Sequence, residues 1–241
     1  MTWRTTYQGS VNRWECDENE HLNVRFYLEK ATEAVESYVS SIGLGMPRIV
    51  HAHFKFLQEA RIAAPISGRC SIVESTNGSL VVQCHLEHTH ERHVFSAMHF
   101  HVELSETRQT PPLVAMTDQA RPRGLRNHAP PSLPETLQEA ERLGFRRIGA
   151  GVARPLECDS LGRMAPAGYL GRVSDAIPNL GLGDSSPDSD RRVGGAVLEY
   201  RMHEERPLLC SDRFEIASAL IQLGAKTYRL LHLIFRAEQE L

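Results

Sequence analysis

Residues 15–34 read ECDENEHLNVRFYLEKATEA, and residues 157–176 read ECDSLGRMAPAGYLGRVSDA. The two stretches align without a gap, 142 residues apart. Six of the twenty aligned positions are identical: Glu15/Glu157, Cys16/Cys158, Asp17/Asp159, Tyr27/Tyr169, Leu28/Leu170 and Ala34/Ala176. Several others are conservative, among them Lys30/Arg172 and Leu22/Met164. Such a match implies one fold used twice. The first copy carries a polar cluster of Asp17, Asn19, His21 and Asn23. The second keeps Asp159 but has Leu161, Arg163 and Ala165 at the other three places. Pro166 follows, and proline suits a first helical turn, so the helix survives where the cluster does not.

Outward from this stretch, residues 8–17 read as a strand running into a loop. Val24, Tyr27, Leu28, Ala31, Ala34, Val35, Tyr38 and Val39 recur at helical spacing, which predicts a helix over 23–41 ended by Gly43 and Gly45. Residues 50–57, 68–75, 80–88 and 94–104 read as strands, with Asn77-Gly78 as a tight-turn signal. Prolines punctuate the connector that follows. It holds one expected helix, from Ser132 as N-cap to Gly144, with Glu135 as the capping-box partner. The order then repeats: a strand over 145–157, a helix over 165–177, a polar loop over 178–192, and strands over 196–203, 213–220 and 227–235. The phrase QEAR ending at Arg61 is echoed by HEER ending at Arg206. The expected domains are 1–110 (the catalytic copy), a linker over 111–144, and 145–241 (the degenerate copy).

Net charge is −3, which implies no broad basic surface and argues against a nucleic-acid partner. The five cysteines show no CxxC spacing and fit reduced thiols in a cytoplasm. The N-terminus lacks the apolar core of a signal peptide, and no apolar window is long enough to span a membrane.

A long apolar helix followed by antiparallel strands must cover one face of the sheet with that helix. The expected fold class is α+β, a tandem (double) hotdog, each copy a central helix wrapped by an antiparallel sheet. Residues 11–60 resemble the hotdog thioesterases of the 4-hydroxybenzoyl-CoA type. Their strand-to-helix turn reads roughly Asp-x-Asp-x-x-Gly-His-Val-Asn-Asn-x-x-Tyr. Glu15, Asp17, His21, Leu22, Asn23 and Tyr27 fill those places, and Glu20 departs from the glycine. The spacing Asp17-x-Asn19-x-His21 is similar to that of acyl-ACP thioesterases, which are also double hotdogs. Leu198-Glu199-Tyr200-Arg201 resembles a strand of those enzymes. The resemblance implies an acyl-thioester hydrolase acting on acyl-CoA or an acyl carrier protein. It implies Asp17 as nucleophile or general base, with Asn19 and His21 assisting and Glu59 as a further carboxylate.

The chemistry suits these residue types. A helix N-terminus offers unpaired N–H groups to a developing oxyanion, here those of Asn23 and Val24, with Tyr27 one turn on. A carboxylate on the preceding loop can attack a thioester carbonyl or deprotonate water. His21 can relay a proton. Each residue also has a plain structural reading: Asp17 and Asn19 as turn residues, His21 bonding a backbone carbonyl, Asn23 as an N-cap, Glu59 facing water, Tyr27 in the core. Arg163 and Arg172 are read as surface residues, with substrate phosphates as the alternative.

His51/His53, His88/His90 and His99/His101 each sit two apart, so each pair shares a strand face. No acidic or thiol ligand stands at ligand spacing nearby, and neither a metal nor a cofactor is expected. Two other functions compete with hydrolysis. One is a non-catalytic acyl-thioester binder or sensor. The other is a hotdog enoyl hydratase, whose Asp-x-Asn-Pro-x-His motif differs here in spacing and lacks the proline. The acyl group, the choice of CoA or carrier protein, and the state (monomeric pseudo-dimer or homodimer) stay open.

Overall fold

The computed structural model describes residues 3–104, 112–125, 133–181 and 196–237. In chain order the strands are β1 (Arg4–Ser10), β2 (Arg48–Phe56), β3 (Pro65–Thr76), β4 (Ser79–His88), β5 (Val94–Glu103), β6 (Arg146–Val152), β7 (Glu199–His203), β8 (Arg213–Leu223) and β9 (Tyr228–Arg236). The helices are α1 (Val24–Ser41), α2 (Leu137–Arg142) and α3 (Pro166–Ala176). The chain divides into two compact units, Met1–His128 with Ala196–Glu205, and Ala129–Gly195 with Arg206–Leu241.

The first unit is a six-stranded antiparallel sheet in the order β1-β3-β4-β5-β2-β7, with α1 against β1, β3 and β4. The apolar stripe of α1 supplies the core: Leu28, Ala31, Ala34, Val35 and Val39 are all fully buried. Each large apolar side chain so buried contributes about 1.5–3 kcal/mol. Helix and sheet approach closely at Gly68, where a Cβ would stand 2.8 Å from that of Ala34. Gly78, at φ +87°, closes the β3–β4 hairpin. The expected strand over 8–17 is shifted: β1 ends at Ser10, and a short 3-10 turn, Arg13–Glu15, leads toward the helix.

The two faces of this sheet differ in chemistry. Strand side chains alternate. Tyr27 of α1 meets Phe56 edge-on at 5.2 Å, which fixes the Ala52/Phe54/Phe56 row of β2 as the helix face. His51, His53 and Lys55 therefore point to the opposite face. That face is covered by residues 112–125. Lys55 donates to Asp118 O at 3.1 Å, Gln83 to Ala115 O at 3.1 Å, and His85 pairs with Thr117 at 2.9 Å. This part of the expected linker is thus a packed strap of the first unit. β7, from the range expected for the second domain, also lies in the first unit as the neighbour of β2.

In the second unit, β6, β8 and β9 form an antiparallel sheet among the described residues, with α3 against β6. Ser132 lies outside the described residues. The nearby helix is α2, capped by Thr136, whose hydroxyl accepts from the Glu139 N–H at 3.2 Å. Glu135 is therefore not its capping-box partner; its N–H donates to the Glu139 carboxylate at 3.0 Å. Of the loop expected over 178–192, residues 182–192 lie outside the described residues, and residues 178–180 finish a 3-10 turn, Ile177–Leu180. No described helix is long and apolar enough to cross a membrane.

Candidate active site

The repeated stretch folds identically in both units, and each identity has a structural cause. Glu15 closes the 3-10 turn by accepting the Asn12 N–H at 2.9 Å and pairs with Lys30 at 2.8 Å. Glu157 accepts the Arg154 N–H at 3.0 Å and pairs with Arg172 at 2.8 Å. Cys16 and Cys158 donate to the carbonyls of Asn12 and Arg154. The Tyr27 hydroxyl accepts the Ala60 N–H at 2.8 Å, and that of Tyr169 accepts the Leu208 N–H at 2.8 Å. Arg172 is thus committed to Glu157 and is not a surface arginine awaiting a phosphate.

Asp17 shares this structural duty. Its Oδ1 accepts the N–H groups of Asn19 (2.9 Å) and His21 (3.0 Å), which ties the turn before α1. Asp159 Oδ1 does the same for Leu161 (2.9 Å) and Arg163 (2.9 Å). The difference is at the second oxygen. Asp159 Oδ2 is neutralised by the Arg163 guanidinium at 2.6–2.7 Å. Among the described residues no hydrogen bond is made to Asp17 Oδ2. The turn also explains the glycine of the family motif: Glu20 has φ +62°, and its counterpart Gly162 has φ +73°. A left-handed non-glycine residue costs roughly 1–2 kcal/mol, so Glu20 is a strained residue beside the site.

His21 and Glu59 come together. His21 Nε2 lies 3.1 Å from Glu59 Oε2, at ion-pair distance but off the line of a well-formed hydrogen bond. The strap carrying Glu59 is tied to the turn by Leu22 N–H to Ala60 O (2.8 Å) and Ile62 N–H to Glu20 O (3.0 Å). Tyr27, buried so deeply that its pKa is pushed up to about 12, holds the same strap through Ala60. Arg163 bridges to Leu209 as His21 bridges to Arg61, so the counterpart of Arg61 is Leu209 and the HEER echo at Arg206 is out of register.

The remaining residues divide. Asn23 caps α1, its Oδ1 accepting the Arg25 N–H at 3.1 Å. Its own N–H is taken by Glu15 O at 2.9 Å, so it is not open to an oxyanion. The Val24 N–H at the first helical position makes no backbone bond outside the helix among the described residues. Asn19 gives its backbone N–H to Asp17, and its side chain is exposed.

A model of the thioesterase-like superfamily matches residues 11–140, which hold the whole of this turn, α1 and the Glu59 strap. The chain belongs to the thioesterase-like superfamily. No curated protein matches it. Three solved structures share its fold at low identity. A candidate oleoyl thioesterase from Lactobacillus plantarum superposes with a TM-score of 0.69 at 12% identity, covering 99% of this chain and 91% of that one. The 12:0-ACP thioesterase from Umbellularia californica gives 0.69 at 11%, covering 96% and 88%. An acyl-ACP thioesterase from Bacteroides thetaiotaomicron gives 0.63 at 9%, covering 97% and 97%. Membership of the superfamily accords with an α+β fold of antiparallel sheets and few helices.

Sequence spacing gave the histidines only as separate pairs on single strands, with no metal expected, and not their convergence. On the strap-covered face, His51, His99 and His101 hold ligand nitrogens within 4.8 Å of one another. The β2–β5 register aligns His51 with His101 and His53 with His99, which no single-strand pattern reveals.

Proposed function

We propose that this superfamily member is an acyl-thioester hydrolase, a tandem hotdog whose first unit carries the chemistry. Its substrates are acyl carrier protein thioesters, as the names of two fold neighbours suggest, or acyl-CoA, as the resemblance of residues 11–60 implies. The observation that carries this reading is that Asp17 Oδ2, on the turn before α1, has no ion-pair or hydrogen-bond partner among the described residues, while the same turn carries His21, 3.1 Å from Glu59. In the second unit Arg163 occupies the corresponding carboxylate oxygen.

In this reading Asp17 Oδ2 takes a proton from water while the water oxygen bonds the thioester carbon. The carbonyl oxygen gathers charge toward the Val24 N–H and the positive end of α1. The C–S bond then breaks, and the proton that Asp17 took from water passes to the leaving thiolate, with His21, 3.1 Å from Glu59, placed to relay it. Direct attack by Oδ2, giving an anhydride that water later cleaves, uses the same atoms. A second reading has its own support. Asp17 makes the same two backbone bonds as Asp159, so an acyl-thioester binder without turnover explains the carboxylate as a turn residue.

Asp17→Asn separates the two, because an asparagine Oδ1 keeps both backbone bonds while the anionic oxygen is lost. Thiol release from a panel of short, branched, aromatic and long acyl-CoAs, and from acyl carrier proteins, tests it. Turnover abolished in a folded Asp17→Asn protein supports hydrolysis at this site. Absence of turnover across the panel, with thermal stabilisation by a panel member, supports the binder.

A further inference from the structure

The face of the first sheet turned away from α1 holds a cavity of about 400 Å³ lined by His51, His53, His99, His101, His203 and Arg201, with the apolar Pro122 and Leu125 at its wall. The thioester chemistry uses none of these residues. Their convergence comes from strand pairing. β2 lies between β5 and β7, with His51 opposite both His101 and His203, and His53 opposite both His99 and Arg201.

The bonding of these rings leaves imidazole nitrogens turned to the cavity. His99 donates its Nδ1–H to Ala120 O at 3.2 Å, which leaves Nε2 as a bare lone pair. The Glu199 carboxylate accepts the backbone N–H groups of Arg123 (2.8 Å), Gly124 (2.7 Å) and Leu125 (3.3 Å). So held, it stays ionised and takes the Nε2–H of His53 at 2.7 Å. The Nδ1 of His53, a residue only 1% exposed, is then a buried lone pair with no partner among the described residues. His51 accepts the Arg201 Nε–H at Nε2 (3.2 Å), so its Nδ1 carries the ring hydrogen, buried and without a partner among the described residues. Buried polar atoms without partners are uncommon and costly in a folded protein. Carbonyl and carboxylate partners on the far nitrogen are the arrangement that orients a histidine toward a metal.

We propose that His51, His99 and His101 bind a divalent first-row transition metal ion of the zinc type, with His53 beside them. An all-imidazole set suits Zn²⁺, Ni²⁺, Co²⁺ and Cu²⁺ and disfavours Mg²⁺ and Ca²⁺. The nitrogens lie within 4.8 Å of one another. With metal–nitrogen bonds of about 2.0–2.1 Å, closure of roughly 0.7 Å per ring brings them to one ion. One contact opposes the ion. The Arg201 Nε–H donates to His51 Nε2 at 3.2 Å. Arg201 is exposed, and metal binding swings it into solvent. The ion then staples β2 and β5 beneath the 112–125 strap.

The test uses the full chain, stripped with chelator and dialysed, titrated with Zn²⁺ by calorimetry and with Co²⁺ by visible absorption. One ion per chain is expected, with Co²⁺ ligand-field bands of nitrogen coordination. His99→Ala is expected to weaken binding at least tenfold. His101→Gln, at an exposed position where folding is not at risk, does the same. Arg201→Gln tightens binding several-fold, which a merely structural histidine cluster would not do. A control, His88→Ala with His90→Ala in another group of histidines, leaves binding unchanged. Absence of stoichiometric binding, binding undiminished in both His99→Ala and His101→Gln, binding lost in the control, or weaker binding in Arg201→Gln each overturns the proposal.

Discussion

Asp17 and Asp159 hold the same turn with the same two backbone bonds, yet among the described residues only Asp159 has its outer oxygen neutralised by an arginine. Identity between the copies thus marks what each turn needs to fold. Chemistry is to be sought where they differ, at His21 against Arg163. The prediction is asymmetric. Asp17→Asn keeps the thermal midpoint close to that of the parent and lowers thioester turnover by about 100-fold or more, the scale of a lost general base. Asp159→Asn loses the Arg163 pair and leaves turnover intact. Equal turnover in both variants would show that Asp17 is only a turn residue.

Glu20 offers a stability test beside the site. Its φ of +62° is where its counterpart Gly162 has +73°. Glu20→Gly relieves the left-handed strain and is expected to stabilise the chain by about 1 kcal/mol. Gly162→Glu is expected to destabilise it by a similar amount. Urea unfolding of both variants checks the signs.

Tyr27 acts through the strap. Its hydroxyl accepts the buried Ala60 N–H at 2.8 Å, and Glu59 precedes Ala60. Tyr27→Phe leaves that N–H unpaired, at a cost of roughly 1–3 kcal/mol. It also loosens Glu59 and so lowers turnover. Tyr169→Phe removes the equivalent bond to Leu208 at 2.8 Å. A like stability loss with unchanged turnover is expected there. Turnover falling equally in both variants would place the effect of Tyr27 in general stability.

Much of this fold was legible because its signals are local. The α1 stripe, the Asn77-Gly78 turn and the ungapped repeat are short-range patterns, and the helix expected over 23–41 differs from α1 by one residue. The membership of β7 in the first unit is a long-range pairing, and no periodicity within residues 196–203 encodes it. The same limit hid the histidine cluster, whose paired rings lie on different strands. Asp17 and His21 were legible as candidates from motif spacing, and Glu59 only through the family resemblance. The commitment of the Asn23 N–H to Glu15 O was not, because it depends on how the 3-10 turn folds back.

The ion pair under the second repeat sets an acid limit on stability. Burial alone would raise the Glu157 pKa, but hydrogen bonds from Arg172 and Arg154 outweigh it and hold the carboxyl at about 2. In the unfolded chain a glutamate titrates near about 4.3. The folded pKa is therefore the lower one. Its contribution is fully present above about pH 4.3 and is lost as pH falls toward about 2. At 1.36 kcal/mol per unit the contribution is at most about 3 kcal/mol. Glu157→Gln removes this titration. The variant is expected to be less stable than the parent at neutral pH, because Arg172 loses its carboxylate partner. Its stability should then fall less steeply on acidification, so that the two unfolding curves converge near about pH 2. Parallel acid dependence of the two proteins in urea unfolding would show that Glu157 titrates normally in the folded chain.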